Sequence, residues 1–75
     1  MGETRLLIQM GSKIRELRKK RRMTQDDVAV QCDFEKERLS GIETGQTNPT
    51  IRSLYKISNA LEVNIAELFA EQAAS

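Results

Sequence analysis

Apolar positions along the chain recur at intervals of three and four residues and almost nowhere alternate, the pattern of packed amphipathic helices rather than half-buried strands. In the first run, over about residues 12–22, Ile14, Leu17 and Arg21 follow helical spacing. Thr24 reads as the N-cap of a second helix, its hydroxyl able to accept a free amide of the next turn, and Asp26 and Asp27 suit the positive helix end. That helix carries Val28, Ala29 and Cys32. Asp33-Phe34 leaves room only for a turn, after which Leu39 and Ile42 form the buried stripe of a third helix that Gly45 closes through a left-handed C-cap. Asn48-Pro49 opens a fourth, with Asn48 as cap and Pro49 in the first turn where its missing amide does no harm. Ile51, Leu54, Ile57 and Leu61 make that helix. Asn64, with Glu67 three residues on, has the form of a capping box for a short fifth helix through Ile65, Leu68 and Phe69.

These segments predict an all-α fold of five packed helices, with a core of Ile14, Leu17, Val28, Ala29, Phe34, Leu39, Ile42, Leu54, Ile57, Leu61, Ile65 and Leu68. Residues 11–70 hold every periodic segment and form the expected domain, and residues 71–75 form a tail expected to fray. Residues 1–10, with Leu6, Leu7, Ile8 and Met10, fit either a strand-like arm or an extension of the first helix. A chain of 75 residues buries a core that is only marginally sufficient, so helical packing or dimerisation would help it.

Composition narrows the chemistry. One cysteine, Cys32, excludes an internal disulfide, and the absence of histidine disfavours both a zinc site and His-based catalysis. Neither a metal nor a cofactor is expected. No apolar stretch approaches the roughly 18 residues of a membrane span, and the N-terminus lacks the pattern of a signal peptide, so a cytoplasmic, reduced setting is expected. Net charge is only +1, but its distribution is uneven: Lys13, Arg15, Arg18, Lys19, Lys20, Arg21 and Arg22 stand against Glu16 alone, whereas the stretch from Glu62 onward has acids and no bases. Such polarity suits one face for a polyanion, or a plainly solvated basic helix.

The stretches "KIRELRKKRRMTQDDVA", "RLSGIETGQTNP" and "LYKISNALEVNIAELF" occur in order, and over roughly residues 11–69 the chain resembles the Cro/phage-repressor (XRE) family of helix-turn-helix DNA-binding domains. The resemblance implies a lambda-repressor-like fold with the third helix as recognition helix. The family usually has glycine in the turn where this chain has Asp33, a residue that tolerates the left-handed conformation better than most. With Leu39 and Ile42 facing inward, Glu37, Gly41 and Thr44 point away from the core, Arg38 and Ser40 flank them, and Lys36 reaches forward from the first turn. Recognition helices of this family enter the major groove by their N-terminal residues, which makes Lys36, Glu37, Ser40 and Gly41 the expected base readers. Lysine suits guanine acceptors, glutamate accepts from cytosine, and Gly41 permits close approach.

By the same resemblance Gln25 opens the second helix and braces the recognition helix against a phosphate, and Thr24, Arg38, Thr44, Gln46 and Asn48 are expected at the phosphate backbone. Arg18 and Glu43 each border a buried stripe with opposite sign, which suggests a pair; the family implies a partly buried bridge between the first helix and the end of the third. Ile65 and Phe69 are the expected dimer contact, with the Leu6-Leu7-Ile8 segment as the other possibility. The function expected is sequence-specific regulation of transcription by a homodimer on double-stranded DNA, as in restriction-modification controller or phage Cro-like proteins. An antitoxin-like interaction module that also binds its own operator is the alternative. Nothing in the chain sets Glu, Lys and Ser side chains in a nucleophile-base arrangement, and three aromatic residues (Phe34, Tyr55 and Phe69) make no stacking platform for RNA.

Overall fold

The apolar residues before Gly11 continue the first helix instead of forming an arm. In the computed structural model, which describes residues 2–69, α1 runs Gly2–Lys20. At 1.5 Å per residue it is about 29 Å long, close to the 31 Å long axis of the molecule. Met10, Gly11, Ile14, Leu17 and Arg18 form its buried face, a helical spacing that carries the stripe of the first helix one turn toward the N-terminus. Next come α2 (Gln25–Cys32), α3 (Lys36–Glu43) and α4 (Ile51–Leu61). Among the described residues there is no strand, and the expected tail at 71–75 lies outside them.

Two features of the final third differ from expectation. The cap of α4 is Thr50, not Asn48: its Oγ1 accepts the Ser53 amide at 3.1 Å, so the helix starts at Ile51 and leaves Asn48-Pro49 in the preceding loop. A threonine two residues further on provides a better-placed hydroxyl, and a residue before proline disfavours the helical region. The fifth element is a five-residue 3-10 helix, Ile65–Phe69, rather than an α-helix. The Glu67 amide bonds to the Asn64 carbonyl (2.9 Å) and the Asn64 side chain accepts from Ala66 (2.8 Å), which tightens the turn and replaces the anticipated capping box.

The helices pack α1 on α3, α2 on both α3 and α4, and the 3-10 helix on α1 and α4. Ile14, Val28, Leu39, Ile57 and Leu61 are fully enclosed where these meet, with Met10, Leu17, Cys32, Ile42, Leu54, Ala60 and Leu68 around them. Phe34 and Ile65 lie only partly buried against that cluster. Burial pushes the Cys32 thiol up from its ordinary range, while Lys56 pulls weakly the other way.

Each of α1 to α4 ends by turning left-handed at one residue: Arg22, Asp33, Gly45 and Glu62. The amides that follow fold back on the last turn, as in Met23 to the Arg18 carbonyl (3.1 Å) and Gln46 to the Gly41 carbonyl (2.9 Å). Gly45 is the only glycine among the four; the others accept a backbone strain of about 1–2 kcal/mol each.

Gly11 governs the approach of α1 to α3. A Cβ there would collide with the Ile42 carbonyl oxygen and stand 2.5 Å from that of Glu43, main-chain atoms that cannot swing aside. Gly11→Ala is therefore expected to lower stability by about 1–3 kcal/mol in urea unfolding followed by circular dichroism, although alanine has the better helix propensity. Gly2→Ala, where a Cβ meets nothing within 4 Å, should stay within about 0.5 kcal/mol of the parent.

Candidate nucleic-acid interface

The turn between α2 and α3 is held open by one residue in the left-handed region. Asp33, at φ 61° and ψ 39°, occupies the place of the family's usual glycine. Its amide donates to the Val30 carbonyl at 3.2 Å and that of Phe34 to Ala29 at 2.8 Å, so α2 stops cleanly and α3 begins three residues later. Leu39 and Ile42 then turn inward. Lys36, Glu37 and Arg38 are exposed on the first half of α3, and Ser40 is half-buried.

Gly41, like Ser40, is half-buried. A Cβ at Gly41 would stand 2.5 Å from the Thr47 hydroxyl, so a side chain at this position would meet the loop after α3. Helical phase puts Gly41 outward, and the returning chain runs close beside it at Thr47.

The Arg18 and Glu43 side chains meet in two parallel bonds, Nε to Oε2 at 2.7 Å and Nη2 to Oε1 at 3.1 Å. Arg18 Nη1 also donates to the Met23 carbonyl (2.8 Å), and Gln25 Nε2 donates to Glu43 Oε1 (3.1 Å). Both charged residues are buried, and no buried side-chain polar atom among the described residues lacks a partner. Gln25 is thus fixed at the start of α2 by one amide hydrogen, with its second free.

Thr24 closes a reciprocal capping box with Asp27: Thr24 Oγ1 accepts the Asp27 amide (3.0 Å) and Asp27 Oδ2 accepts the Thr24 amide (2.8 Å). The Gln25 and Asp26 amides remain without an intrahelical acceptor. They border an open cleft where the end of α1, the start of α2 and the start of α3 converge, lined by Arg18, Lys19, Arg22, Met23, Thr24, Gln25, Asp26 and Lys36. Lys19, Arg22, Lys36 and a helix N-terminus make it attractive to an anion, the Arg18 charge being met by Glu43, and the Asp26 carboxylate opposes that attraction. Lys19 and Arg22 were visible in the sequence only as part of a basic run; nothing there indicated which of its charges the left-handed turn at Arg22 would bring beside α2.

The loop after α3 carries less backbone donor capacity than expected. The amides of Thr44, Gly45, Gln46 and Thr47 all bond back to α3 carbonyls. Thr44 Oγ1 donates to the Ser40 carbonyl at 3.0 Å, and Gln46 and Asn48 are exposed. Arg38 leans toward α4, its Nη2 on Ser53 Oγ at 2.8 Å and its guanidinium 4.4 Å from the centre of the Phe34 ring. Ile65, expected both in the core and at a dimer contact, packs partly against the domain's own core. Phe69 is 46% exposed, and Leu6 and Ile8 are similarly open on α1.

A helix-turn-helix family model, HTH_3, matches residues 14–68, spanning all of the elements just described except the N-terminal part of α1 and Phe69. The chain belongs to this helix-turn-helix family. It is similar to the control protein C.MunI of a Mycoplasma species, 35% identical over 65 residues that cover 85% of this chain and 88% of the relative. The restriction-modification controller protein C.AhdI from Aeromonas hydrophila superposes with a TM-score of 0.83 at 30% identity, over 84% of this chain and 96% of the other. The controller protein C.Esp1396I, as a tetramer in complex with its natural 35-base-pair operator, gives 0.78 at 36% identity, over 85% and 84%.

In this helix-turn-helix domain the Arg18–Glu43 pair is the bond between α1 and α3. Glu43→Ala should cost about 3–5 kcal/mol in chemical denaturation because it strands the Arg18 charge, whereas an Arg18→Met/Glu43→Leu double variant should recover most of that loss.

Proposed function

We propose that the protein is a sequence-specific transcriptional regulator that binds double-stranded DNA as a homodimer and lays α3 in the major groove of an operator. The observation that carries this reading is a shared face: the exposed first half of α3, with Lys36, Glu37 and Arg38, adjoins the basic cleft at the start of α2. Membership of the helix-turn-helix family and similarity to a controller protein solved on its operator support it.

On this reading Lys36, Glu37 and Ser40 face base edges, and Gln25 with Thr24, Lys19 and Arg22 holds a phosphate. Arg38, Thr44, Gln46 and Asn48 contact the backbone by side chains. One recognition helix reads only a few base pairs, so a two-fold pair of domains with half-sites about 34 Å apart gives the specificity a promoter requires. Phe69, with Leu6 and Ile8, supplies the exposed apolar surface for that pairing. The role is one of binding rather than catalysis, and a cytoplasmic location follows from access to the operator. No helix among the described residues is long and apolar enough to cross a membrane.

Selection of bound sites from random duplex DNA should return a palindrome, and affinity for it should fall with salt at a log-log slope of about −0.9 per phosphate neutralised. Salt-independent binding, or none to any duplex in the pool, would refute the function. On the selected site Lys36→Ala should cost about 1–3 kcal/mol and change the preferred bases, while Gln25→Ala should weaken all duplexes alike. Competition titrations against single-base variants of the site distinguish the two; a uniform loss from Lys36→Ala would move that lysine to the backbone contacts.

A further inference from the structure

Phe34 lies in the turn before α3, where the spacing of apolar residues placed it in the core, yet it is only partly buried. Its ring instead faces two cations. The Arg38 guanidinium stacks 4.4 Å from the ring centre, and the Lys56 ammonium lies 6.0 Å away on α4. Arg38 has a second anchor on another element, the 2.8 Å bond from Nη2 to Ser53 Oγ. Ser53 is buried and held in turn by Thr50, whose Oγ1 donates to the same oxygen at 3.1 Å. Face and one corner of the guanidinium are therefore occupied, and four of its five N–H donors remain. A long cationic side chain fixed before binding loses less freedom when it meets its ligand.

We propose that Phe34 is a positioning residue for the DNA contact: with Ser53 it holds the Arg38 guanidinium so that its free edge meets a backbone phosphate beside the bases read by α3. This rests on the function proposed above. A phosphate fits better than a base because the anchors draw Arg38 toward α4 and away from Lys36 and Glu37, and because Lys56 adds a second positive charge at the same ring.

The test uses the duplex selected from the random pool and a scrambled duplex of equal length, with Phe34→Leu, Phe34→Tyr, Ser53→Ala, Arg38→Ala and the Phe34→Leu/Arg38→Ala pair. Circular dichroism at the assay temperature checks that each is folded. Phe34→Leu and Ser53→Ala should each weaken both duplexes about two- to fivefold, the size of an exposed cation–π contact, and Phe34→Tyr should restore binding. Arg38→Ala should flatten the salt slope by about 0.9, and Phe34→Leu should then cost nothing more. In the unbound protein the Arg38 side-chain protons should be shifted upfield by the ring, a shift lost in Phe34→Leu. Equal losses from Phe34→Leu with and without Arg38, failure of tyrosine to rescue, or a loss confined to the selected duplex would overturn the proposal. Wild-type protein that binds no duplex removes the function beneath it; wild-type binding that Phe34→Leu leaves unchanged removes the positioning role alone.

Discussion

The fold depends on two desolvated charges that have to find each other. Arg18 on α1 and Glu43 on α3 stand 25 residues apart in sequence and meet edge to edge in two bonds. The remaining Arg18 nitrogen is used by the Met23 carbonyl, and Gln25 donates a third bond to Glu43. One network thus fixes the end of α1, the loop after it, the start of α2 and the last turn of α3. Such a pair contributes little net stability over apolar residues of similar size; its effect is positional, because a slip in any of these elements would leave a buried charge without its partner. Gly11 makes the meeting possible by letting α1 lie directly on the carbonyls of Ile42 and Glu43, and Gly45 does the same where the chain leaves α3 against Ile8.

The binding surface is a consequence of that scaffold. With its last turn fixed by Glu43 and its middle by Leu39 and Ile42, α3 presents its first half outward. The same network holds Gln25 at the head of α2, where the cap spends two amides on Thr24 and Asp27 and leaves two facing the basic cleft. Net charge is nearly zero, so attraction to a polyanion arises from where the bases are gathered rather than from their excess. Arg38 shows the principle on a smaller scale, its guanidinium ordered by a ring from the turn and a hydroxyl from α4.

Local signals in the sequence were sufficient for much of this. The 3.6-residue spacing of Ile14, Leu17, Leu39, Ile42, Leu54, Ile57 and Leu61 marks the buried faces because burial of a helix stripe is itself periodic. Thr24 marks the start of α2, and Gly45 the end of α3, through hydrogen bonds that span only a few residues. Even the departure at Asp33 was readable, since tolerance of the left-handed region belongs to the residue itself. Arg22 and Glu62 carried no such signal: neither residue type favours φ near +59°, and there the amides of Met23 and Val63 fold back to the Arg18 and Ser58 carbonyls.

What the sequence by itself determined, then, was the set of helices, the stripe each buries and the residues bearing charge or hydroxyl groups at their ends, all properties of short range. Tertiary structure alone decided which of those groups remain available. Thr47 came to stand beside Gly41, and the amides of Thr44, Gly45, Gln46 and Thr47 were consumed by α3's own carbonyls. Lys19 and Arg22 reached the cleft, and Phe34 left the core to hold Arg38. Each outcome depends on where the returning chain runs in space, and a period along one helix carries no information about the segment that will pack over it.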